Sequence, residues 1–150
     1  MSEAPEAPQI TPIGRVRNGE RDVRRQDWSR VRSELKLRAE LAAALAGLEG
    51  FSHVIVVGWL DQIPAELRAR RQAHPGGDER LPLLGALALR GGARPNPIAV
   101  TVCRLRGIEG ATLRVEGLDL VDGTPVLDVK PYVAASDAVP DAELPEWARG

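Results

Sequence analysis

The chain has 150 residues, of which 43% are hydrophobic and 27% charged, and its formal net charge at pH 7 is −1. These values exclude a disordered or fibrous protein and are typical of one globular domain, so we expect a flexible tail over residues 1–9 and a single domain over residues 10–150. A single cysteine, Cys103, excludes an intrachain disulfide framework, and the first residues lack the basic and apolar regions of a signal peptide. No stretch reaches membrane-spanning length, so a cytoplasmic protein with no membrane partner is expected.

The charges are distributed unevenly along the chain. Residues 15–32 contain seven arginines against three acidic residues, whereas residues 137–149 contain four acidic residues against one arginine. A polyanion would bind the first region and avoid the second. On charge alone an alternative stays equally open, in which these arginines only solvate the surface.

The first half of the domain is predicted to contain strands and one short helix. Residues 10–16 are predicted to form the first strand. Residues 33–38 are predicted to form a strand that continues into a short helix, and a single helix over residues 30–48 is the alternative. Residues 54–60 are β-branched and nearly all apolar, which predicts a strand buried on both faces.

The next elements are punctuated by proline and glycine. Residues 63–71 are predicted to form a short helix, residues 74–78 a loop, and residues 85–89 a further apolar strand. Residues 98–105 are predicted to pair with residues 113–118 as a hairpin. In the first hairpin strand, one face is predicted to hold Ile98, Val100 and Val102 and the other Ala99, Thr101 and Cys103. Short strands with few helices favour a mainly β fold, a compact single-domain β-barrel-like sheet with one or two short helices.

Residues 94–97 read Arg-Pro-Asn-Pro, which is unsuited to a central strand. Each proline fixes its own φ and pushes the residue before it into an extended conformation, so Arg94 and Asn96 are both predicted to be extended. Neither proline can donate to a sheet, so the segment is better suited to presenting a guanidinium and a carboxamide to a ligand. Gly91 and Gly92, just before it, permit close backbone approach.

A turn with a polar strand after it begins at Asp122. Asp122 can accept a hydrogen bond from its own backbone two residues on, and Gly123 tolerates a positive φ. In the extended chain that follows, Asp128, Lys130 and Tyr132 share one face, which is a candidate site. An ordinary surface strand with an Asp–Lys pair is the alternative. The candidate face holds Thr124, Val126, Asp128, Lys130 and Tyr132, and the predicted core face holds Pro125, Leu127, Val129, Pro131 and Val133.

Several familiar catalytic signatures are missing from the sequence. Two histidines, His53 and His74, and one cysteine make a zinc site improbable, so no metal is expected. No Gly-x-Ser-x-Gly elbow, phosphate-binding Gly-x-x-x-x-Gly-Lys segment or Rossmann Gly-x-Gly-x-x-Gly fingerprint occurs. The three tryptophans are interpreted as packing residues.

The sequence resembles the TsaA/TrmO-like family at residues 51–57, 94–98 and 122–132, in order and in spacing, and the resemblance extends over residues 13–132. It implies a compact, usually dimeric, non-Rossmann β-barrel methyltransferase that binds S-adenosylmethionine. The implied reaction is N6-methylation of threonylcarbamoyladenosine beside the tRNA anticodon. The implied partners are therefore the anticodon loop of tRNA and a second copy of the chain.

The resemblance also implies site residues. Those expected to be catalytic are Asn96, Asp128, Lys130 and Tyr132. Those expected to bind the cofactor are His53, Arg90, Arg94, Pro97, Ile98, Asp122 and Thr124. Arg90 or Arg94 is expected to bind the methionyl carboxylate, because a guanidinium fork suits a carboxylate. Asp128 is expected to accept from the acceptor amine or to balance the sulfonium.

Two departures from the family pattern keep alternatives open. Leu89, Arg90, Gly91 and Gly92 stand where the family commonly has Thr-Arg-Ser-Pro, and Ala99 stands where it has glycine. These departures favour one alternative function, a module that binds S-adenosylmethionine or RNA without catalysis. The net negative charge favours a second alternative, a small-molecule methyltransferase. The chain also ends soon after the core, so the grip on tRNA is expected to come from the core, a dimer partner or the arginines of residues 15–32.

Overall fold

Six antiparallel strands close into a barrel in the computed structural model, which describes residues 5–149. The eight strands in chain order are β1 (Gly14–Arg17), β2 (Arg32–Leu37), β3 (His53–Trp59), β4 (Gln72–Ala73), β5 (Leu84–Gly85), β6 (Ile98–Glu109), β7 (Thr112–Glu116) and β8 (Pro125–Pro131). The barrel order is β1-β2-β7-β6-β3-β8, and β4 and β5 form a separate two-stranded sheet. The mainly β, barrel-like prediction is confirmed.

The helical elements are short. The α-helices are α1 (Ala65–Arg68) and α2 (Ala134–Asp137), and the 3-10 helices are Ala39–Leu45, Leu48–Gly50, Pro75–Gly77, Ala86–Ala88 and Glu146–Ala148. Among residues 5–149, no helix has the length and apolar character needed to cross a membrane.

The barrel interior is filled by alternate residues of every barrel strand, because antiparallel strands direct one face inward. The buried cluster contains Val16, Leu35, Leu45, Val54, Val56, Cys103, Leu113, Val115, Leu118, Leu120 and Val126. The outward residues of the strands do not contribute to this core, and several residues of the predicted site, such as Asp128 and Lys130, lie among them.

The prediction of a strand followed by a short helix at residues 33–38 is confirmed, and the single-helix alternative is wrong. Ser33 and Leu35 are buried while Arg32 and Lys36 are exposed, which is the two-residue period of a strand. The first strand was predicted over residues 10–16 but begins later, at Gly14, because Pro12 cannot donate to a ladder and Ile10 is exposed.

Two apolar segments differ from their predictions. The strand β3 is buried on one face only, since Val54, Val56 and Gly58 point inward while the residues between them are partly exposed. The outward residues of β3 are therefore partly accessible in the described part of the chain. Residues 85–89 do not form a strand: β5 ends at Gly85 and a 3-10 helix follows, with Leu87 exposed. Alanine and glycine are weak strand formers, and β4 offers only two pairing residues.

The hairpin of β6 and β7 is confirmed, with its turn at Gly110 and Ala111. The ladder shifts register between Leu105 and Gly107, so Arg106 is an extra residue that forms a bulge. The first half of β6 extends beyond β7 and pairs with β3 alone.

A second bulge interrupts β8. Asp128 lies opposite Val57 and Val126 lies opposite Gly58, so Leu127 is the extra residue. Val126 is therefore buried in the core, and its predicted place on the candidate face is wrong. Asp128 and Lys130 do share the outer face, but Leu127 does not face the core as predicted.

Candidate functional site

The Arg-Pro-Asn-Pro segment lies at the end of the barrel where β3 finishes. Pro97 is fully buried, and its carbonyl accepts a hydrogen bond from the Leu60 N–H at 2.8 Å. On the other side, Arg68 donates to the Pro95 carbonyl through Nε at 3.1 Å and Nη2 at 3.0 Å. Asn96 is exposed between these two anchors. The backbone of the segment is thus held while the carboxamide remains available.

The two arginines that were expected to bind the cofactor carboxylate are engaged by the backbone. Arg94 Nη1 donates to the carbonyls of Leu89 at 2.7 Å and Gly91 at 3.1 Å, so its side chain braces its own loop. Arg90 Nη2 donates to the Val100 carbonyl at 3.2 Å, on the edge of β6 that β7 does not reach. Arg90 also lines a groove of about 1190 Å³ between residues 70–93 and residues 144–148.

Asn96 and Ile98 line a second hollow of about 480 Å³, which we call the outer hollow. Its other walls are Trp59, Pro125 and Leu127, together with Ala7, Pro8, Ile10 and Pro12 from the N-terminal segment. The described part of the expected tail, residues 5–9, has no regular structure but includes two of these wall residues. Residues 1–4 of that tail lie outside the described residues.

Asp128 and Lys130 form an ion pair on the outer face of β8, with 3.0 Å between Oδ2 and Nζ. Asp128 Oδ1 also accepts from the Val129 N–H at 2.9 Å. Lys130 lies opposite Ile55, whereas Ile98 lies opposite Trp59, so the two ends of the predicted site are about 13 Å apart along β3. Asn96 and Lys130 therefore share a face but not a hollow.

His53 and Tyr132 lie together at the other end of β3. Their ring centroids are 6.4 Å apart in an edge-on arrangement, and the Tyr132 N–H donates to the His53 carbonyl at 3.0 Å. The Ser52 hydroxyl contacts His53 Nδ1 at 2.7 Å. His53 begins β3 and Trp59 ends it, six residues later. Because Asn96 lies beside Trp59, His53 is at the opposite end of the strand from Asn96.

The turn at Asp122 serves the barrel closure. Asp122 Oδ1 accepts from the backbone N–H groups of Asn18 at 2.9 Å and Gly19 at 3.2 Å, not from its own backbone two residues on. These two hydrogen bonds lower the pKa of Asp122. Gly123 has the expected positive φ of 83°. Thr124 is buried, and its hydroxyl donates to the Val121 carbonyl at 2.7 Å.

Thr124 also lines a hollow of about 350 Å³, the mouth hollow, between the loop around Trp28 and the end of β3. Its lining residues are Val23, Arg25, Gln26, Trp28, Leu60, Asp61, Gln62, Ile63, Gly92, Asp119, Leu120, Val121 and Thr124. Gly92 packs closely in this wall: a Cβ there would lie 2.8 Å from Ile63 Cδ1 and 3.1 Å from Leu60 Cδ1, so those side-chain ends would have to move.

The mouth hollow combines an aromatic ring with acidic groups. The Trp28 indole is half-buried, held by a hydrogen bond of 2.8 Å from Nε1 to the Arg25 carbonyl and by the Arg25 guanidinium 5.7 Å from the ring centroid. Asp61 and Asp119 are exposed carboxylates, and Asp119 accepts from the Thr101 hydroxyl. Such a set can stack on a flat ring and accept hydrogen bonds from hydroxyl or ammonium groups.

Sequence reasoning missed most of the mouth hollow. Asp61 and Asp119 each follow closely on a buried barrel segment, which is where polar site residues commonly occur, and this was the available signal. The tryptophans were interpreted as packing residues only. In the structure Trp28, Trp59 and Trp147 also line the mouth hollow, the outer hollow and the large groove, respectively.

The chain is similar to known proteins over most of its length. The tRNA (adenine(37)-N6)-methyltransferase of Escherichia coli is 35% identical over 114 residues, which are 67% of this chain and 44% of that protein. The S-adenosyl-L-methionine-binding protein of Archaeoglobus fulgidus is 34% identical over 138 residues, 89% of this chain and 96% of that protein. The crystal structure of TrmO from Pseudomonas aeruginosa is 35% identical with a TM-score of 0.73, over 92% of this chain and 62% of that chain.

The likeness covers only part of several relatives. The chain spans 42% and 31% of two further curated relatives, from Pseudomonas aeruginosa and Archaeoglobus fulgidus. The sequence profile of the tRNA-methyltransferase O N-terminal domain matches residues 20–138. That match covers most of the chain and confirms the resemblance found at residues 94–98 and 122–132. The chain therefore belongs to the tRNA-methyltransferase O N-terminal domain family.

Proposed function

We propose that the chain is an S-adenosylmethionine-dependent methyltransferase that modifies N6 of threonylcarbamoyladenosine beside the tRNA anticodon. The mouth hollow carries the proposal, because its volume of about 350 Å³ and its indole, carboxylate and glycine walls suit a nucleoside with a charged side arm. The names of the E. coli and A. fulgidus relatives, a tRNA methyltransferase and an S-adenosyl-L-methionine-binding protein, support the same reaction and cofactor.

The residues of the mouth hollow would hold the cofactor. The Trp28 indole would pack against the adenine, and Asp61 and Asp119 would accept hydrogen bonds from ribose hydroxyls or the ammonium group. Gly92 allows the loop to approach closely. Arg90 lies outside the mouth hollow, in the large groove that shares Gly92 with it. Arg90 is proposed to bind the methionyl carboxylate there, since its guanidinium is exposed and the hydrogen bond to Val100 uses only Nη2.

Other residues expected to bind the cofactor would position it. Arg94 braces the loop that carries Gly91 and Gly92, and Asp122 fixes the turn that leads to Thr124. Pro97 fixes the end of β3 through Leu60. Ile98 and His53 do not line the mouth hollow. They are proposed to contact the cofactor of a second copy of the chain in a dimer.

The outer face is proposed to receive the acceptor base. Leu60 and Thr124 line the mouth hollow while their neighbours Trp59 and Pro125 line the outer hollow, so the two hollows adjoin at one end of the barrel. Asn96 would bind a base or amide edge there. When bound, S-adenosylmethionine would supply an activated methyl group on its sulfonium, with a neutral thioether as the leaving group.

Asp128 on β8 is proposed to act as the general base at the outer face. Methyl transfer to N6 releases a proton, and the Asp128 carboxylate is half-exposed and able to accept it. Lys130 would hold Asp128 in place through their ion pair, and Tyr132 would bound the face at its far end. Positioning supplies much of the rate, because the sulfonium is already an activated donor.

A homodimer in the cytoplasm is the proposed working form. Three apolar side chains on the outer face of β6 are exposed, with exposed fractions of 37% for Ile98, 49% for Val100 and 47% for Val102. Ile55 and Val57 continue this stripe across β3. A second copy that covers the stripe would bring its own residues beside the outer hollow. Sedimentation of the Val100→Glu variant as a monomer, against a dimeric wild type, is the expected result.

Three single carboxamide variants test the proposed site. Asp119→Asn should weaken binding of S-adenosylmethionine in calorimetry, whereas Asp128→Asn should bind it normally but methylate tRNA at least about tenfold more slowly. Asp141→Asn, an exposed residue of the C-terminal segment, is the control with the same charge change. Mass spectrometry of tRNA nucleosides from a deletion strain measures the reaction, and an unchanged methylated-nucleoside profile would contradict the tRNA assignment.

A binding module without catalysis is the second candidate. It is favoured by the coverage of the A. fulgidus binding protein, 96% of which aligns with this chain, compared with 44% of the E. coli enzyme. Calorimetric binding of S-adenosylmethionine without single-turnover methylation of either tRNA or small nucleoside acceptors would support this candidate. Methylation of a free nucleoside alone would instead indicate a small-molecule methyltransferase.

A further inference from the structure

A hollow of about 370 Å³ on the outer face of β2, β7 and β6 is lined by three arginines. The lining residues are Arg32, Ser33, Glu34, Arg106, Arg114 and Val115, and we call this site the arginine hollow. It lies on a different part of the barrel wall from β8, which carries the proposed acid–base pair. No step of the proposed methyl transfer uses it.

The local structure of the strands brings the three guanidiniums together. Arg32 opposes Glu116, and Arg114 lies two residues further along β7 on the same face. Arg106 is the extra residue of the β6 bulge, and bulges redirect side chains. Gly107 leaves the space for the Arg114 side chain, since a Cβ there would lie 2.5 Å from Arg114 Nη2.

Three carboxylates lie near these cations: Glu34 lines the hollow, Glu116 faces two of the guanidiniums and Glu109 pairs with the third. Glu116 lies 2.7 Å from Arg106 Nε and 3.7 Å from Arg32 Nε, so one carboxylate faces two guanidiniums. The hydrogen bond from Arg106 is the main cause of the lowered pKa of Glu116, which keeps this carboxylate ionised and Arg106 oriented. Arg114 has a longer, exposed ion pair with Glu109, at 3.5 Å.

The surrounding surface is also basic. The exposed cationic side chains of the described parts of β1, β2, β7 and the second half of β6 are Arg15, Arg17, Arg32, Lys36, Arg104, Arg106 and Arg114. The carboxylates on the same strands are Glu34, Glu109 and Glu116. Because the whole chain has a formal net charge of −1, this excess marks one side of the barrel for an anionic partner.

We propose that the arginine hollow binds backbone phosphates of tRNA, and this rests on the proposed tRNA substrate. A guanidinium fork matches the geometry of a phosphate, and a hollow with guanidiniums on several sides can hold one phosphate or two successive ones. Five of the six residues that line the hollow have polar or charged side chains, which disfavours an aromatic or lipid ligand. Its task is to orient the tRNA while the anticodon loop occupies the outer face across the barrel.

The salt dependence of tRNA binding tests this assignment. The Arg32→Gln/Arg114→Gln double variant should bind total bacterial tRNA at least about tenfold more weakly in a filter-binding assay. Its slope of log affinity against log salt should be shallower by about 2, roughly one per lost phosphate contact. Arg80→Gln, with Arg80 paired to Asp78 in a remote loop, is the control and should change neither quantity.

Further measurements separate this inference from the methyltransferase proposal. The variants should bind S-adenosylmethionine with wild-type affinity and keep kcat while KM for tRNA rises. The assignment of the arginine hollow as a phosphate site is overturned if the double variant matches Arg80→Gln in tRNA affinity and in salt slope. It is also overturned if the wild type does not bind tRNA. If tRNA binding depends on the hollow but no methyl group is transferred, the hollow stands and the methyltransferase proposal fails. Should the double variant fail to fold, Arg114→Gln alone decides, with half the slope change expected.

Discussion

The Arg68 guanidinium lies 5.4 Å from the centroid of the Trp59 ring while donating two hydrogen bonds to the Pro95 carbonyl. One side chain of α1 therefore connects the last residue of β3 with the segment that presents Asn96. Trp59 lines the outer hollow beside Asn96, so this cation–π contact sets the relative position of two of its walls.

Arg68→Met should remove both interactions while retaining the apolar stem of the side chain. We expect the free energy of unfolding to fall by about 1–2 kcal/mol, from loss of the charged hydrogen bonds and the cation–π contact. The proposed methylation should slow about tenfold with little change in the affinity for S-adenosylmethionine. Urea titration and single-turnover assays measure the two effects. Arg70→Met, an exposed neighbour, is the matched control, and equal behaviour of the two variants would refute the positioning role.

Asp122→Asn should destabilise the fold in a pH-dependent manner. The hydrogen bonds from Asn18 and Gly19 lower the pKa of Asp122 in the folded state, so its carboxylate contributes stability above the unfolded pKa of about 4. That contribution is lost as the pH falls through the folded pKa. The difference in melting temperature between wild type and variant should therefore be constant from pH 6 to 8 and shrink below pH 4. A difference that does not change with pH would show that the charge of Asp122 is irrelevant.

Cys103 should resist alkylation in the folded protein. Burial in the barrel interior, with Asp119 nearby, raises the pKa of its thiol to about 12, so the thiolate is scarce at pH 8. Mass spectrometry should find Cys103 unmodified by iodoacetamide under native conditions and fully modified in urea. Equal rates in the two conditions would mean that β6 opens readily.

Gly14→Ala should destabilise the barrel by about 2–4 kcal/mol, because the new methyl group would overlap backbone that cannot move aside. A Cβ at Gly14 would lie 2.8 Å from Leu37 Cα and would also meet the Lys36 carbonyl oxygen. Gly50→Ala is the control, since no atom lies within 4 Å of its added Cβ. Circular dichroism melts compare the two, and similar melting temperatures would contradict the packing of β1 on β2.

Hydrophobic alternation predicted the barrel class and the hairpin because those depend on local pattern. It could not predict the accessible outer face of β3, since apolar outward residues such as Ile55 and Val57 look the same in sequence whether a helix, a subunit or solvent faces them. The prediction that Val126 lies on the outer face was wrong for a different reason. A bulge depends on pairing with a partner strand, here at Gly58, and leaves no mark in the bulged strand itself.

The candidate site was only partly predictable. Asp128 and Lys130 lie on one face because they are two residues apart on the same strand, which needs no tertiary information. The mouth hollow instead joins Trp28, Asp61 and Asp119 from three distant segments, and its closure depends on how the barrel strands are ordered. Arg94 had the right chemistry for a ligand, but the backbone carbonyls of its own loop compete for its guanidinium.

The irregularity at Leu127 divides β8 into a part that can lose one residue and a part that cannot. Deleting Leu127 would restore regular pairing with Val126 still opposite Gly58 and in the interior, whereas deleting a residue between Asp128 and Pro131 would turn one flank of the strand to the opposite side. Conservative replacements within the segment leave this geometry intact. During evolution, insertions and deletions between Asp128 and Pro131 would thus be removed by selection even where individual amino acids drift freely.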